Sequence, residues 1–336
     1  MVGAFGRTRY VERAVASVLA QTLPRSRFEV VVTRDVPDPT LDRAWTAAGV
    51  RTIVDAEPRI GRWLARAARA TRAPLIAFLD DDDEFEPERL ACVVELFRER
   101  PEVGYYRNRV RVVDADGRAV DPARWRRLEK DVTLDRTGPI AVAPNGKGKI
   151  VQLIGQETFA GFNSSTIVIR RELLDGAPGD AFEATQLPDL ALLVAAIVSP
   201  YGLYLDDRRL TRFRTHSENV THAVGWLGRA AEAHRALAEL ADRRGRPDLA
   251  AWLRERSAHY ARVFRSSTIV LEVRAAAPRR RVAELTFDYL RFLGAHPAQR
   301  RATMDVWRPT VYAATYLLSP AVGHRVALAR VPERPR

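Results

Sequence analysis

One cysteine in 336 residues, Cys92, rules out an internal disulfide and a thiolate metal cluster. Lysine is almost as scarce: Lys130, Lys147 and Lys149 are the only three among 54 basic residues, so the net charge of +12 is carried by arginine. No run of about 18 uninterrupted apolar residues occurs, which argues against a membrane-spanning helix. The first residues also lack the charged start, apolar middle and small-residue cleavage site of a secretory leader. A disulfide-stapled secreted fold is thereby set aside, and a cytoplasmic protein is expected. Zinc-ligand spacing and helix-turn-helix patterns are missing as well. The cluster Arg279-Arg280-Arg281 has no interleaved aromatics of the kind that stack on single-stranded bases, so no nucleic-acid partner is expected.

What is present suffices for a sizeable core. Apolar residues make up 46% of the chain, and its length allows one large domain or two modest ones. The guanidinium is a planar fork suited to phosphate, so a nucleotide, a lipid phosphate or an anionic membrane surface fits the charge. A solvated, arginine-rich exterior explains it equally well.

Short apolar runs alternate with helical spacing through the first hundred residues. Val2 to Phe5 reads as a strand, followed by Val11, Ala14, Val15, Val18 and Leu19 on one helical face. Phe28–Val32, Val50–Val54 and Leu75–Leu79 read as further strands and 60–70 as a helix, an order that implies an α/β fold with a mostly parallel sheet. Pro87 opens another helix that Pro101 stops, and Cys92 lies in it among Leu90, Val93 and Val94, as a buried residue would. From Tyr105 to Ile169 the texture changes to strands with turn signals at Asp116-Gly117 and Asn145-Gly146, an antiparallel extension. Gly146-Lys147-Gly148-Lys149 reads as a loop. Beyond residue 221 the chain is helical, broken at Gly245-Arg246-Pro247 and Ala277-Pro278. The expected division is 1–221, with halves 1–104 and 105–221, and a helical region 222–336. The stretch from Trp307 to Val331 either docks on the protein's own core or lies in a membrane interface.

The chemistry concentrates at Asp80-Asp81-Asp82-Asp83, directly after an apolar strand, with Glu84 and Glu86 adding charge. Two like charges about 4 Å apart repel by roughly 4 kcal/mol at an effective dielectric near 20. Such a cluster needs a cation or strong solvation. Mg²⁺ or Mn²⁺ answers that need, because both prefer oxygen ligands and share their shell with phosphates. A bare Asp-x-Asp would more often be a solvated turn; the strand before it and Pro87 after it give it a context.

Several ordered segments resemble glycosyltransferase family 2. Ala4-Phe5-Gly6-Arg7 stands where that family has Thr-Tyr-Asn-Arg, and Ser17-Val18-Leu19-Ala20-Gln21 is similar to its helix motif. The strand ending near Asp35 resembles the one that carries a nucleoside-binding acid, with Arg34 in place of a neighbouring acid. Asn163–Arg171 resembles the strand on the acceptor side, Pro188-Asp189-Leu190-Ala191-Leu192 the family's Glu-Asp-x-x-Leu, and Leu210 to Asn219 its closing Leu-x-x-Tyr-Arg-x-His-x-x-Asn with Phe213 for Tyr. The resemblance covers about two thirds of the chain.

It implies a GT-A fold, a Rossmann-like mixed sheet flanked by helices, and an inverting displacement on a nucleotide-sugar donor with Mn²⁺ or Mg²⁺. On this reading Asp82 ligates the metal with Asp80 and His216. Ala4, Phe5, Gly6, Arg7, Asp35, Asp80, Asp81 and Arg214 hold the donor, and Asp189 is the base that takes the acceptor's hydroxyl proton. Asp189 is also placed to cap a helix. GDP-mannose comes first among donors, ahead of UDP-glucose or UDP-N-acetylglucosamine, and the acceptor is a saccharide or a lipid-linked hydroxyl at the cytoplasmic face of a membrane. Processive members carry Gln-x-x-Arg-Trp; here Asp121 precedes Arg124-Trp125, which points to transfer of one sugar. The rivals are a catalytically inactive nucleic-acid or membrane-surface binding module on the same fold and, more distantly, a sugar-nucleotide pyrophosphorylase, for which Gly3-Ala4-Phe5-Gly6-Arg7 is too poor in glycine.

Overall fold

The computed structural model describes residues 1–4, 9–57, 59–120, 138–146, 148, 163–216, 224–300 and 306–328. Residues 1–217 and 236–252 form one unit; residues 218–235 and 253–336 form a second.

The first unit is built on two sheets. Strand β1 (Val2–Ala4) is buried throughout and pairs in parallel with β2 (Val30–Arg34). β3 (Val50–Val54) continues the sheet beyond β2, and β5 (Leu79–Asp80) lies on the other side of β1, giving the parallel order β3-β2-β1-β5. Helix α1 (Val11–Leu19) turns Val11, Ala14, Val15 and Val18 into this core. Helix α2 (Pro39–Ala47) is capped by the Asp38 carboxylate, which accepts from the backbone N–H groups of Thr40 and Leu41. The second sheet runs β4 (Leu75–Ala77), β9 (Ile167–Arg170), β7 (Val103–Val113), β10 (Gly202–Arg214), β6 (Glu84–Phe85), with β8 (Ile140–Val142) also on β10. Helices α3 (Ile60–Arg69), α4 (Arg89–Glu99), α5 (Ala177–Ala184) and α6 (Pro188–Val198) also belong to the unit. Gly61 of α3 lets two backbones meet, because a Cβ there would lie 1.8 Å from the Phe182 carbonyl oxygen of α5.

Four expectations are corrected. The second strand starts at Val30 and runs on through Arg34, whose guanidinium lies over the Trp45 ring and pairs with Asp42 instead of reaching solvent. The run 75–79 is not one strand: it changes sheets at Phe78, so that Ala77 pairs with Val168 and Leu79 with Val2. The extension is only partly antiparallel. β7 opposes β9 but runs parallel to β10, because α5 and α6 carry the chain back before β10 begins. Cys92, in α4, is half-buried. The turn at Asp116-Gly117 is present, with Gly117 at φ +89°. Pro144–Gly146 forms a 3-10 turn, while Lys147 and Lys149 lie outside the described residues.

The helical unit carries parts of α7 (Val224–Arg243) and α8 (Pro247–Arg274), then α9 (Arg279–Ala295), α10 (Arg308–Leu318) and α11 (Pro320–Leu328). Its core joins Ile269, Val273, Val282, Tyr289, Leu293, Tyr312, Tyr316 and Ala327. No described helix is long and apolar enough to cross a membrane.

Candidate active site

Parallel register brings three expected residues to one edge. Gly3 lies opposite Thr33 on one side and Asp80 on the other, so Ala4, Asp35 and Asp80 sit at the carboxyl ends of β1, β2 and β5. Open α/β sheets bind ligands at that edge. Ala4 is buried and Asp35 half-buried; Phe5, Gly6 and Arg7 lie outside the described residues.

From this edge the chain turns through Asp81, Asp82 and Asp83, all buried, into β6. One oxygen each from Asp80, Asp82 and Asp83 lies within 4.8 Å of the others. Burial pushes the Asp83 carboxyl well above its ordinary pKa, and the charges of Asp82 and Asp80 add to that rise. Asp83 is nevertheless held on both oxygens, by Asn163 Nδ2 at 2.9 Å and the Arg214 backbone N–H at 3.0 Å. Asp80 accepts from Ser164 Oγ at 2.6 Å, and its own N–H donates to Ser165 Oγ. His216 Nε2 stands 3.0 Å from Asp82 Oδ2, with the Tyr10 ring beside the imidazole at 5.2 Å. Three hard oxygen donors converging at a strand end, with an imidazole nitrogen alongside, fit Mg²⁺ or Mn²⁺.

Arg214 is only 1% exposed. Its Nε donates to the Asp82 carbonyl and its Nη1 to the carbonyls of Asp114 and Ala115; Nη2 pairs with Glu84, and the guanidinium packs on the Tyr10 ring. Expected as a phosphate contact, it turns these nitrogens toward the protein and braces the acidic turn. The motif Ser17–Gln21 secures the far side of the same turn. Ser17 Oγ accepts from the Phe85 N–H at 3.0 Å, and Gln21 donates to the Glu86 carbonyl while accepting from the Leu90 N–H, each at 2.8 Å.

Asp189 opens α6 at its second position, after Pro188. It does not cap that helix, since Leu187 holds the cap position without a side-chain bond. One carboxylate oxygen accepts from the Leu190 N–H at 2.9 Å, the other from the Asn163 N–H at 3.2 Å. Burial raises its pKa to about 6, although both accepted bonds and the nearby Arg107 pull it down. That value suits a general base near neutrality. Asn163 therefore touches both acidic groups, its side chain on Asp83 and its backbone on Asp189, and it does so at φ +64°. Asparagine tolerates this left-handed conformation better than most residues. Asn163 and Ser164 fall in the segment that resembles the acceptor-side strand, but the resemblance did not give their bonds to Asp83, Asp189 and Asp80, and Tyr10 and the buried Arg107 stood in no motif.

The profile of the family described as glycosyl transferase family 2 matches residues 1–175, the segment that contains the acidic turn. The chain belongs to glycosyl transferase family 2. A relative from Nostoc sp., described as an uncharacterized glycosyltransferase, is 28% identical over 131 residues; the match spans 37% of this chain and 39% of that protein. Among solved structures, Staphylococcus aureus TarS 1–349 in complex with UDP-GlcNAc superposes with a TM-score of 0.57 at 15% identity, covering 97% of this chain and 89% of that one. The mannosyltransferase PcManGT from Pyrobaculum calidifontis, in complex with GDP-Man and Mn²⁺, gives 0.51 at 17% identity over 95% and 87%. At these identities the likeness speaks for the fold, which is GT-A.

Proposed function

We propose that this family 2 member transfers one sugar, with inversion, from a nucleoside diphosphate sugar to a hydroxyl of a saccharide or lipid-linked acceptor. The observation that carries the reading is the junction at Asn163, which ties the acidic turn to a second carboxylate whose proton affinity is tuned to pH 6. In this reading Asp82 and Asp80 hold a divalent cation, with His216 beside Asp82. A cation bound there supplies charge neutralisation for the departing diphosphate. Ala4, Asp35 and Asp81, with Phe5, Gly6 and Arg7, line the donor pocket at the sheet's carboxyl edge. Arg214 and Gln21 keep the acidic turn from relaxing as charge develops, which is the preorganisation that electrostatic catalysis needs. Asp189 takes the acceptor proton.

Thermal-shift titration of GDP-mannose, UDP-glucose, UDP-N-acetylglucosamine and the free nucleotides, with and without Mn²⁺, tests the proposal, since a ligand of the native state raises its melting temperature. GDP-mannose is tried first. A metal-dependent rise with one nucleotide class, abolished by Asp82→Ala, is expected. The absence of a rise with every nucleotide would instead favour a surface-binding module without turnover.

A further inference from the structure

In the helical unit, α10 is apolar on two opposite faces. Tyr312, Ala313 and Tyr316 point into the core. Trp307, Val311, Ala314 and Leu318, spaced four, three and four residues apart, form the outward stripe, with Leu318 85% exposed and Val311 54%. An amphipathic surface helix normally turns charged and polar residues outward. The adjoining α11 repeats the pattern: Gly323 and Ala327 face inward, while Val322, Val326 and Leu328 are exposed. Gly323 fits closely against α10, where a Cβ would lie 2.3 Å from the Tyr316 Cα, so the two helices are held as a pair.

The charge pattern says what covers this face. From Val306 to Pro332 the chain has no aspartate or glutamate, and its only charged side chains besides His324 are Arg308, Arg325 and Arg330. We propose that the outward face of α10 and α11 docks on an anionic lipid surface, lying in the plane of the interface. At 1.5 Å per residue the helices are about 16 and 14 Å long, too short to span a bilayer. Ser319 and Pro320 break the pair before it becomes one longer helix. The tryptophan at the start of α10 and arginines beside an apolar stripe are the composition of an interfacial helix. This surface stands independently of the glycosyl-transfer reading.

Flotation of the full chain with phosphatidylcholine vesicles, with and without phosphatidylserine, tests the proposal. Binding to the serine-lipid vesicles, weakened by salt, is expected. Val311→Glu combined with Leu318→Glu places charges on side chains that are already exposed, so the fold and its melting temperature should hold while binding falls about tenfold or more. Arg308→Glu with Arg325→Glu should lower it severalfold, and only on anionic vesicles. Failure to float on either vesicle would overturn the proposal, as would binding that survives both variant pairs. So would concentration-dependent dimers, measured by light scattering, that Val311→Glu/Leu318→Glu abolishes, for the face would then belong to a second copy.

Discussion

At the scale of single residues, Asp189 accepts from the backbone N–H groups of Leu190 and Asn163 and is the base of the proposed reaction. Burial lifts its pKa to about 6 from an ordinary 3.8. A folded-state pKa above the unfolded value means that ionisation opposes folding. The cost is absent below about pH 4 and fully present above about pH 6. Asp189→Asn should therefore melt higher than the parent at pH 7.5, by about 1–2 kcal/mol once the amide's poorer match to one N–H donor is offset, and show no gain at pH 4. Turnover should fall by about 100-fold or more. A variant that loses activity and stability together would show that the carboxylate is a structural acceptor. On the proposed mechanism the same pKa predicts that the parent's kcat/KM declines below about pH 6 as Asp189 is protonated.

At the scale of elements, the close approach of α3 and α5 is the most sharply testable contact. Gly61 sits in the first turn of α3 with its N–H on the Thr185 carbonyl, and the place of a missing side chain is filled by the Phe182 backbone. Backbone cannot swing aside as a flexible side chain can. Gly61→Ala should cost about 2–4 kcal/mol, read as a lower urea midpoint at unchanged slope, even though alanine is the better helix former. Much of the element pattern was legible beforehand: Val11, Ala14, Val15 and Val18 declared α1, and Gly245-Arg246-Pro247 separated α7 from α8. The break at Phe78 was not legible, because Leu75 to Leu79 is uniformly apolar and nothing in it signals a change of partner. The acidic turn could be read because four aspartates after an apolar strand demand an explanation. Asn163 could not, since its importance lies in a backbone angle and two partners 26 and 80 residues away. Arg214 was noticed for its motif, but its bonds to the acidic turn were not legible, because a sequence shows a guanidinium and not which way it faces.

At the scale of the whole molecule, the partners of the N-terminal strands lie far along the chain. β4 pairs with β9 some ninety residues later, and β6 with β10 more than a hundred residues later. Residues 1–104 by themselves would leave Leu75–Ala77 and Glu84–Phe85 without their strand partners, and the acidic turn without Asn163, Arg214 and His216. That fragment is expected to lack the sharp, dispersed amide spectrum of a folded domain, whereas residues 1–252 should retain it; a folded 1–104 fragment would contradict the pairing described here.

The switch of strand at Phe78 bears on how such enzymes diversify. A segment that belongs to one sheet at its start and to another at its end cannot be exchanged by recombination without disturbing both, because each half needs its old neighbours. On the proposed function, new donor preferences would therefore be expected to arise by point substitution along the carboxyl edge at Ala4, Asp35 and Asp81, with the acidic turn and its braces kept as one block.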